Sequence, residues 1–155
     1  MRAVVQRVRS ARVLVAGGAE EARIGPGAVV LVAVRRGDTA AEAEGLAGKI
    51  ARLRLFDDAA GRLNGDIASV KGAFLVVSQF TLYGDCRKGN RPSYLDAAPP
   101  EEAMPIYERF VEYLRAGGRE VRTGRFREHM VVALENDGPV TVIVERDAAP
   151  GGGAG

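Results

Sequence analysis

The sequence predicts an α+β domain, rich in antiparallel strands and carrying two main helices. Three observations carry that reading. Strand-like segments outnumber helical ones, the strands fall into two blocks separated by helical stretches instead of alternating regularly with them, and no internal repeat is visible. A chain of 155 residues fits one domain, able to bury roughly two thirds of its unfolded surface around one core.

The first third reads as β. Residues 3–8 and 12–15 alternate apolar and polar side chains, Gly17-Gly18 supplies a turn, and Gly25-Pro26-Gly27 punctuates the chain before Val29 to Val34. That last run is apolar on both faces and predicts a central strand. A helix follows, opened by Thr39 and Glu42 at capping-box spacing, with Ala43, Leu46, Ala47, Ile50 and Leu53 on one apolar stripe that should lie against a sheet. Residues 73–77 form a second buried strand, which runs directly into Ser78-Gln79-Phe80-Thr81. A second helix spans about 101–115, turns Ala103, Tyr107, Phe110 and Leu114 inward and stops at Gly117-Gly118; Pro105 fits only in its first turn. Residues 130–134 and 140–145 then read as two strands around Asn136-Asp137-Gly138-Pro139, which as local pattern is a hairpin turn. The domain is expected to occupy residues 1–146, and the Gly-rich tail 147–155 has too little side-chain surface to dock and is expected to be disordered.

Composition narrows the function classes. Apolar residues make up 46% and charged residues 27%, near globular averages, which excludes a disordered chain or a coiled coil. No apolar run approaches the roughly 20 residues that cross a bilayer, and the opening MRAVVQRVRS alternates charge with valine, so a cytoplasmic protein without membrane attachment is expected. A lone Cys86 and a lone His129 cannot build the familiar zinc sets, and no metal is expected. The net charge of +2 permits binding to a polyanion without requiring it.

Several enzyme designs fail on inspection. Gly84 and Gly89 have the spacing of a phosphate-binding loop, but Asn90 stands where its lysine belongs. Any imidazole-based nucleophile would have to use His129, and Asp57-Asp58 before Ala-Ala-Gly reads as a solvated turn. The stretch from Ser78 to Tyr94 differs in kind. It sets hydroxyls and an amide at the end of an apolar strand, follows them with Arg87, Lys88 and Arg91, and interleaves aromatic residues, as a site for a polar ligand joined to phosphates requires. Read alone, the same residues equally suit a strand end that satisfies its own backbone, followed by a solvated basic loop.

SQFTLYGDCRKGNRPSY, taken with TGRFREHMVVALENDGPVTVIVE and the N-terminal VVQRV, resembles the D-aminoacyl-tRNA deacylase family, and the resemblance runs from Met1 to about Glu145. It implies antiparallel β-rich, barrel-like sheets in a homodimer. The activity implied is hydrolysis of the ester between a D-amino acid, or glycine, and the 3′ end of tRNA, without metal or organic cofactor. Carried over residue by residue, it places Ser78 and Gln79 at the ester, Phe80 beside the terminal adenosine, and Thr81 just behind them. A threonine nucleophile needs an adjacent base that this sequence does not offer, so a positioned water, assisted by the RNA 2′-hydroxyl and backbone N–H groups, is the better account.

The resemblance makes Gly138-Pro139 a cis pair inserted into the partner subunit's pocket, where its carbonyls meet the substrate α-amino group and an L side chain meets a wall. A cis X-Pro bond costs only about 0.5–1 kcal/mol. Arg7 would brace that pair, and Ala103 and Met130 would wall the pocket. The expected partner is aminoacyl-tRNA and not DNA, with Arg87, Lys88 and Arg91 as phosphate contacts and Arg119, Arg122, Arg125 and Arg127 as a second set. Two alternatives stay open on sequence: a related tRNA deacylase whose Gly-Pro peptide is trans and which clears a mischarged L-amino acid, and a non-catalytic RNA-binding dimer.

Overall fold

The computed structural model describes residues 1–148. In chain order they form β1 (Arg2–Leu14), β2 (Glu20–Ile24), β3 (Gly27–Ala33), α1 (Ala40–Ala51), β4 (Phe56–Asp57), β5 (Leu63–Gly65), β6 (Ala73–Ser78), α2 (Pro100–Ala116), β7 (Val121–Thr123) and β8 (Val131–Glu145). The expectation for the tail falls almost wholly on residues 149–155, outside the described residues.

Six strands share one sheet in the order β2-β1-β3-β6-β7, with β8 paired along β1, and β4-β5 make a separate hairpin. The first half of β1 pairs with β3 and its second half with β2, all antiparallel. The sheet is mixed and not antiparallel throughout, because β3-β6 and β6-β7 run parallel. Parallel neighbours need a long crossover, and α1 and α2 supply one each. β2 curls back toward β6 and β7, so the sheet nearly closes into a barrel.

The two-faced apolar strands serve two cores. In β3, Ala28, Val30 and Val32 pack with the helices, while Val29 and Leu31 face the barrel interior; β6 divides the same way, with Phe74 and Val76 toward the helices and Ala73, Leu75 and Val77 inward. Period-two alternation thus explains a run with no polar face. β1 changes phase along its length. Ala3 and Val5 belong to the helical core, but Ala11 and Val13 belong to the barrel core, because a bulge between Val8 and Ser10 inserts one residue and flips the alternation. Residues 3–8 and 12–15, read as two strands, are therefore one bulged strand.

α1 begins as its sequence dictates. Thr39 caps it by accepting from the Ala41 N–H, and the Glu42 carboxylate returns to the Thr39 N–H at 2.8 Å and its hydroxyl at 2.6 Å. Ala43, Leu46, Ala47 and Ile50 are buried, while Leu53 lies just beyond the helix end. α2 buries Ala103, Tyr107, Phe110, Val111 and Leu114. Pro105 sits inside this helix and not in its first turn, because the helix already starts at Pro100. Its side chain faces solvent, where a missing N–H is cheapest to leave.

The C-terminal hairpin expected around 136–139 does not form. β8 is one continuous strand along β1, with Gln6 opposite Thr141 and Val8 opposite Asn136, so residues 137–140 bulge out opposite Arg7 alone. The half-buried Asn136 side chain spans the bulge, donating to Arg7 O at 2.9 Å and to Val140 O at 3.1 Å. Asn-Asp-Gly-Pro is a turn in sequence; here the turn folds within a strand because β1 holds both flanks.

Two predictions follow from this packing. Asn136→Ala leaves two carbonyls beside the bulge without their donor and should lower the unfolding free energy by about 1–3 kcal/mol in urea; a loss under about 0.5 kcal/mol would show that the bulge holds without it. The Tyr107 hydroxyl donates to Val76 O at 3.2 Å, and burial pushes its pKa up from 10 to about 12. Because the folded value lies above the unfolded one, the stability contributed by the neutral phenol is complete below pH 10 and is lost as pH climbs toward about 12. Tyr107→Phe should cost about 1 kcal/mol at pH 8 yet lose about 2 kcal/mol less than the parent between pH 10 and 12. Parallel pH curves for the two proteins would contradict it.

Candidate active site

Apolar alternation in β6 ends at Val77. Ser78 then pairs with Val32 of β3, and the Gln79 N–H donates to Val32 O at 2.8 Å, so the sheet holds both polar residues at its rim. The chain tightens into a short helical turn, Phe80–Tyr83. Its first two amides, those of Phe80 and Thr81, have no hydrogen-bond partner among the described residues. The Gln79 side-chain amide donates to the Thr81 hydroxyl.

Ser78, Gln79 and Phe80 open on a cavity of about 630 Å³ that Ala103 and Met130 also line, and all five are residues singled out in sequence. Ala103 reaches it from α2 and Met130 from the position just before β8, and Val77 and Val132 line its apolar side. Phe80 is 56% exposed and meets Tyr94 edge-on, ring centroids 5.3 Å apart. Tyr94, Phe126, Arg36, Arg127 and His129 line the same cavity without having been assigned to it in sequence. They arrive on separate loops after β3, before α2 and between β7 and β8, and only a composite of long-range neighbours reveals them.

Thr81 is exposed and does not line the cavity. Its hydroxyl accepts from an amide, a group that cannot take up its proton, so the geometry offers no activation of a threonine nucleophile. Tyr107, under the strand end, keeps its phenol neutral at physiological pH and is structural.

Arg7, Gly138 and Pro139 sit elsewhere in this chain, outside the cavity lining. Arg7 is 7% exposed. Its guanidinium donates to Leu55 O at 2.8 Å and Asp137 O at 3.2 Å and pairs with the carboxylates of Asp57 at 3.5 Å and Asp137 at 3.3 Å. Asp57, read in sequence as part of a solvated turn, is thereby a partner of this buried cation. Gly138 has φ +113, and a Cβ there would stand 2.7 Å from Arg7 Nη2 and 2.9 Å from a Val140 methyl, so only glycine fits. The Gly138-Pro139 peptide is cis, and both residues are exposed at the crest of the bulge.

The basic residues divide. Arg87 grips Asp85 through two contacts of 2.7 and 2.8 Å, and this holds the Asp85 carboxyl down at about 2. Lys88 and Arg91, on the same loop, are exposed and make no ion pair among the described residues. In the second set, Arg122 pairs with Glu120 at 2.9 Å and Arg125 with Glu21 at 2.9 Å, and Arg119 donates to Gly117 O. Only Arg127 of that set reaches the cavity. Among the described residues no cluster of three His, Cys, Asp or Glu side chains gathers, and no helix is long and apolar enough to cross a membrane.

Comparison with known proteins converges on one family. The family model for D-Tyr-tRNA(Tyr) deacylase matches residues 4–145. The D-aminoacyl-tRNA deacylase of Symbiobacterium thermophilum is 56% identical over 147 residues, covering 95% of this chain and 97% of that one. That of Heliobacterium modesticaldum is 55% identical over 145 residues, with 94% and 96% covered. Among solved structures, the c-Myc DNA Unwinding Element Binding Protein superposes with a TM-score of 0.90 at 40% identity, over 96% of this chain and 100% of that one. A probable eukaryotic D-amino acid tRNA deacylase gives 0.80 at 17% identity, over 92% and 97%, a likeness of fold. Matched from residue 4 to residue 145 and more than half identical to these bacterial enzymes, the chain belongs to the D-aminoacyl-tRNA deacylase family.

Proposed function

We propose that this D-aminoacyl-tRNA deacylase hydrolyses its substrate in the cavity at the end of β6, with the gate that reads chirality supplied by a second copy of the chain. The observation that carries the reading is the polar rim itself. Ser78 and Gln79, held by β3, open into the cavity beside two backbone N–H groups with no internal partner.

The reaction adds water across the aminoacyl ester, forming the free amino acid and returning a hydroxyl to the tRNA. The Phe80 amide, on the cavity wall, is suited to the oxyanion that develops on the ester carbonyl, with the Thr81 amide next to it at the rim, and a fixed donor of this kind contributes about 10²–10³ in rate. Ser78 and Gln79 position the ester and the water, with the neighbouring 2′-hydroxyl of the RNA assisting proton transfer. The ester is already activated, so modest stabilisation suffices. Thr81 acts on Gln79, fixing its amide. Phe80 borders the terminal adenosine, and Ala103 and Met130 wall the amino-acid pocket.

The gate needs a partner. Gly138 and Pro139 stand exposed on a bulge outside their own cavity, and among the described residues β8 pairs only with β1, leaving its other edge open there, with Val131 53% and Ile143 68% exposed. An open edge bearing exposed aliphatic side chains fits a second copy. Across that dimer, the Gly138 and Pro139 carbonyls would receive the substrate α-ammonium and their backbone would exclude an L side chain, while a D residue or glycine passes. Lys88 and Arg91, with Arg87 beside them, are placed to meet acceptor-arm phosphates, and the compartment is the cytoplasm, where charged tRNA is used.

Purified protein should release D-tyrosine from D-tyrosyl-tRNA and leave L-tyrosyl-tRNA intact. Gln79→Ala should lower kcat at least a hundredfold, whereas Thr81→Ala should lower it less than tenfold and Thr81→Ser restore it. Full activity in Gln79→Ala together with complete loss in Thr81→Ala would reverse the assignment and make Thr81 the nucleophile.

A further inference from the structure

We infer that Arg36 and Arg127 form a subsite for the 5′-phosphate of the terminal nucleotide, the phosphodiester nearest the ester under attack. The inference rests on the placement of the ester at Ser78 and Gln79.

Both arginines line the cavity, and neither makes an ion pair among the described residues. Their immediate neighbours behave differently. Arg35 approaches Asp96 at 3.9 Å and Asp147 at 3.8 Å, and Arg125 holds Glu21 at 2.9 Å and Glu128 at 3.7 Å. Glu128 is the one carboxylate of the cavity lining, and Arg125 engages it, so the charge left facing the cavity is positive.

Arg36 is anchored without being neutralised. Its Nε–H donates to Leu95 O at 2.9 Å, which orients the guanidinium and leaves the Nη donors for a ligand. It lies four residues beyond Val32, the strand partner of Ser78, which keeps its Cα within about 14 Å of the Val32 Cα. Arg127 has φ +65, a left-handed conformation that a residue with a Cβ rarely adopts. Glycine would fit that backbone without strain, and the chain places an arginine there instead. Strain of this kind clusters at active sites and ligand clamps, and Arg127, unlike Lys71 at its helical turn, stands at the cavity.

Substrate chemistry selects the ligand. A terminal nucleotide esterified on its ribose at the 3′ side carries its only phosphate on the 5′ side. Once the ester sits at Ser78 and the nucleoside beside Phe80, that phosphate is the remaining charge to be met near the cavity. Guanidinium forks match phosphate oxygens in pairs, which makes arginine the fitting residue at both positions.

The test uses 3′-O-D-tyrosyl-adenosine with and without a 5′-phosphate, assayed on the purified protein. For the parent, the phosphate should lower KM about tenfold with kcat unchanged. Arg36→Ala and Arg127→Ala should each lose that advantage, so that the two esters show equal KM values within each variant, while Arg62→Ala, on the β4–β5 connection, keeps it. Arg127→Gly should melt higher than the parent and still lose the advantage, which separates the phosphate role from a role in folding. Equal KM values for the two esters in the parent, or an undiminished phosphate advantage in both Arg→Ala variants, would overturn the inference. Undiminished hydrolysis of both esters by Gln79→Ala would instead overturn the placement of the ester.

Discussion

The buried guanidinium of Arg7 is the constraint on which the C-terminal half of this molecule depends. It lies between two segments that do not pair with each other, taking the Leu55 carbonyl and the Asp57 carboxylate from one and the Asp137 carbonyl and carboxylate from the other. A cation taken out of water needs such partners, and removing them leaves an uncompensated charge that strongly destabilises a fold. The four-residue bulge in β8 is shaped around this group. Asn136 closes its base, Gly138 is the residue that fits against Nη2, and Pro139 follows at the exposed crest.

The cavity is built by a different device, the point where a buried parallel strand runs out. From Ala73 to Val77 every side chain of β6 belongs to one of two apolar cores, and the next residues are Ser78, the last of the strand, and Gln79. The sheet fixes their backbone through Val32, so the polar groups are presented on a rigid edge while loops complete the walls. This division suits chemistry that relies on positioned water and fixed amides, since donors held by a sheet need no reorganisation as charge develops.

Much of this was legible in sequence wherever one segment decides its own structure. Thr39 and Glu42 announce the start of α1, and the residues that end β6 mark the cavity, because capping and strand termination are local events. The failures share a cause. Asn136-Asp137-Gly138-Pro139 has the chemistry of a hairpin turn, but β1 pairs on both sides of it and Arg7, some 130 residues earlier, folds it into a bulge. The parallel pairings of β6 were missed because they depend on where two helices return the chain. Arg36, Tyr94, Phe126 and Arg127 come together from three connections, with no local signal in any of them.

The central claim is that the site is shared between two chains, with Gln79 from one and Gly138 from the other. Mixed dimers of Gln79→Ala and Gly138→Ala subunits, isolated through two different tags, test it most directly. Each variant homodimer should be defective, while the mixed dimer contains one site with an unaltered Gln79 and an unaltered partner Gly138. About half the parental deacylation of D-tyrosyl-tRNA, with L-tyrosyl-tRNA still rejected, is the predicted result. A mixed dimer as defective as the two homodimers would mean that each chain completes its own site, contradicting the account.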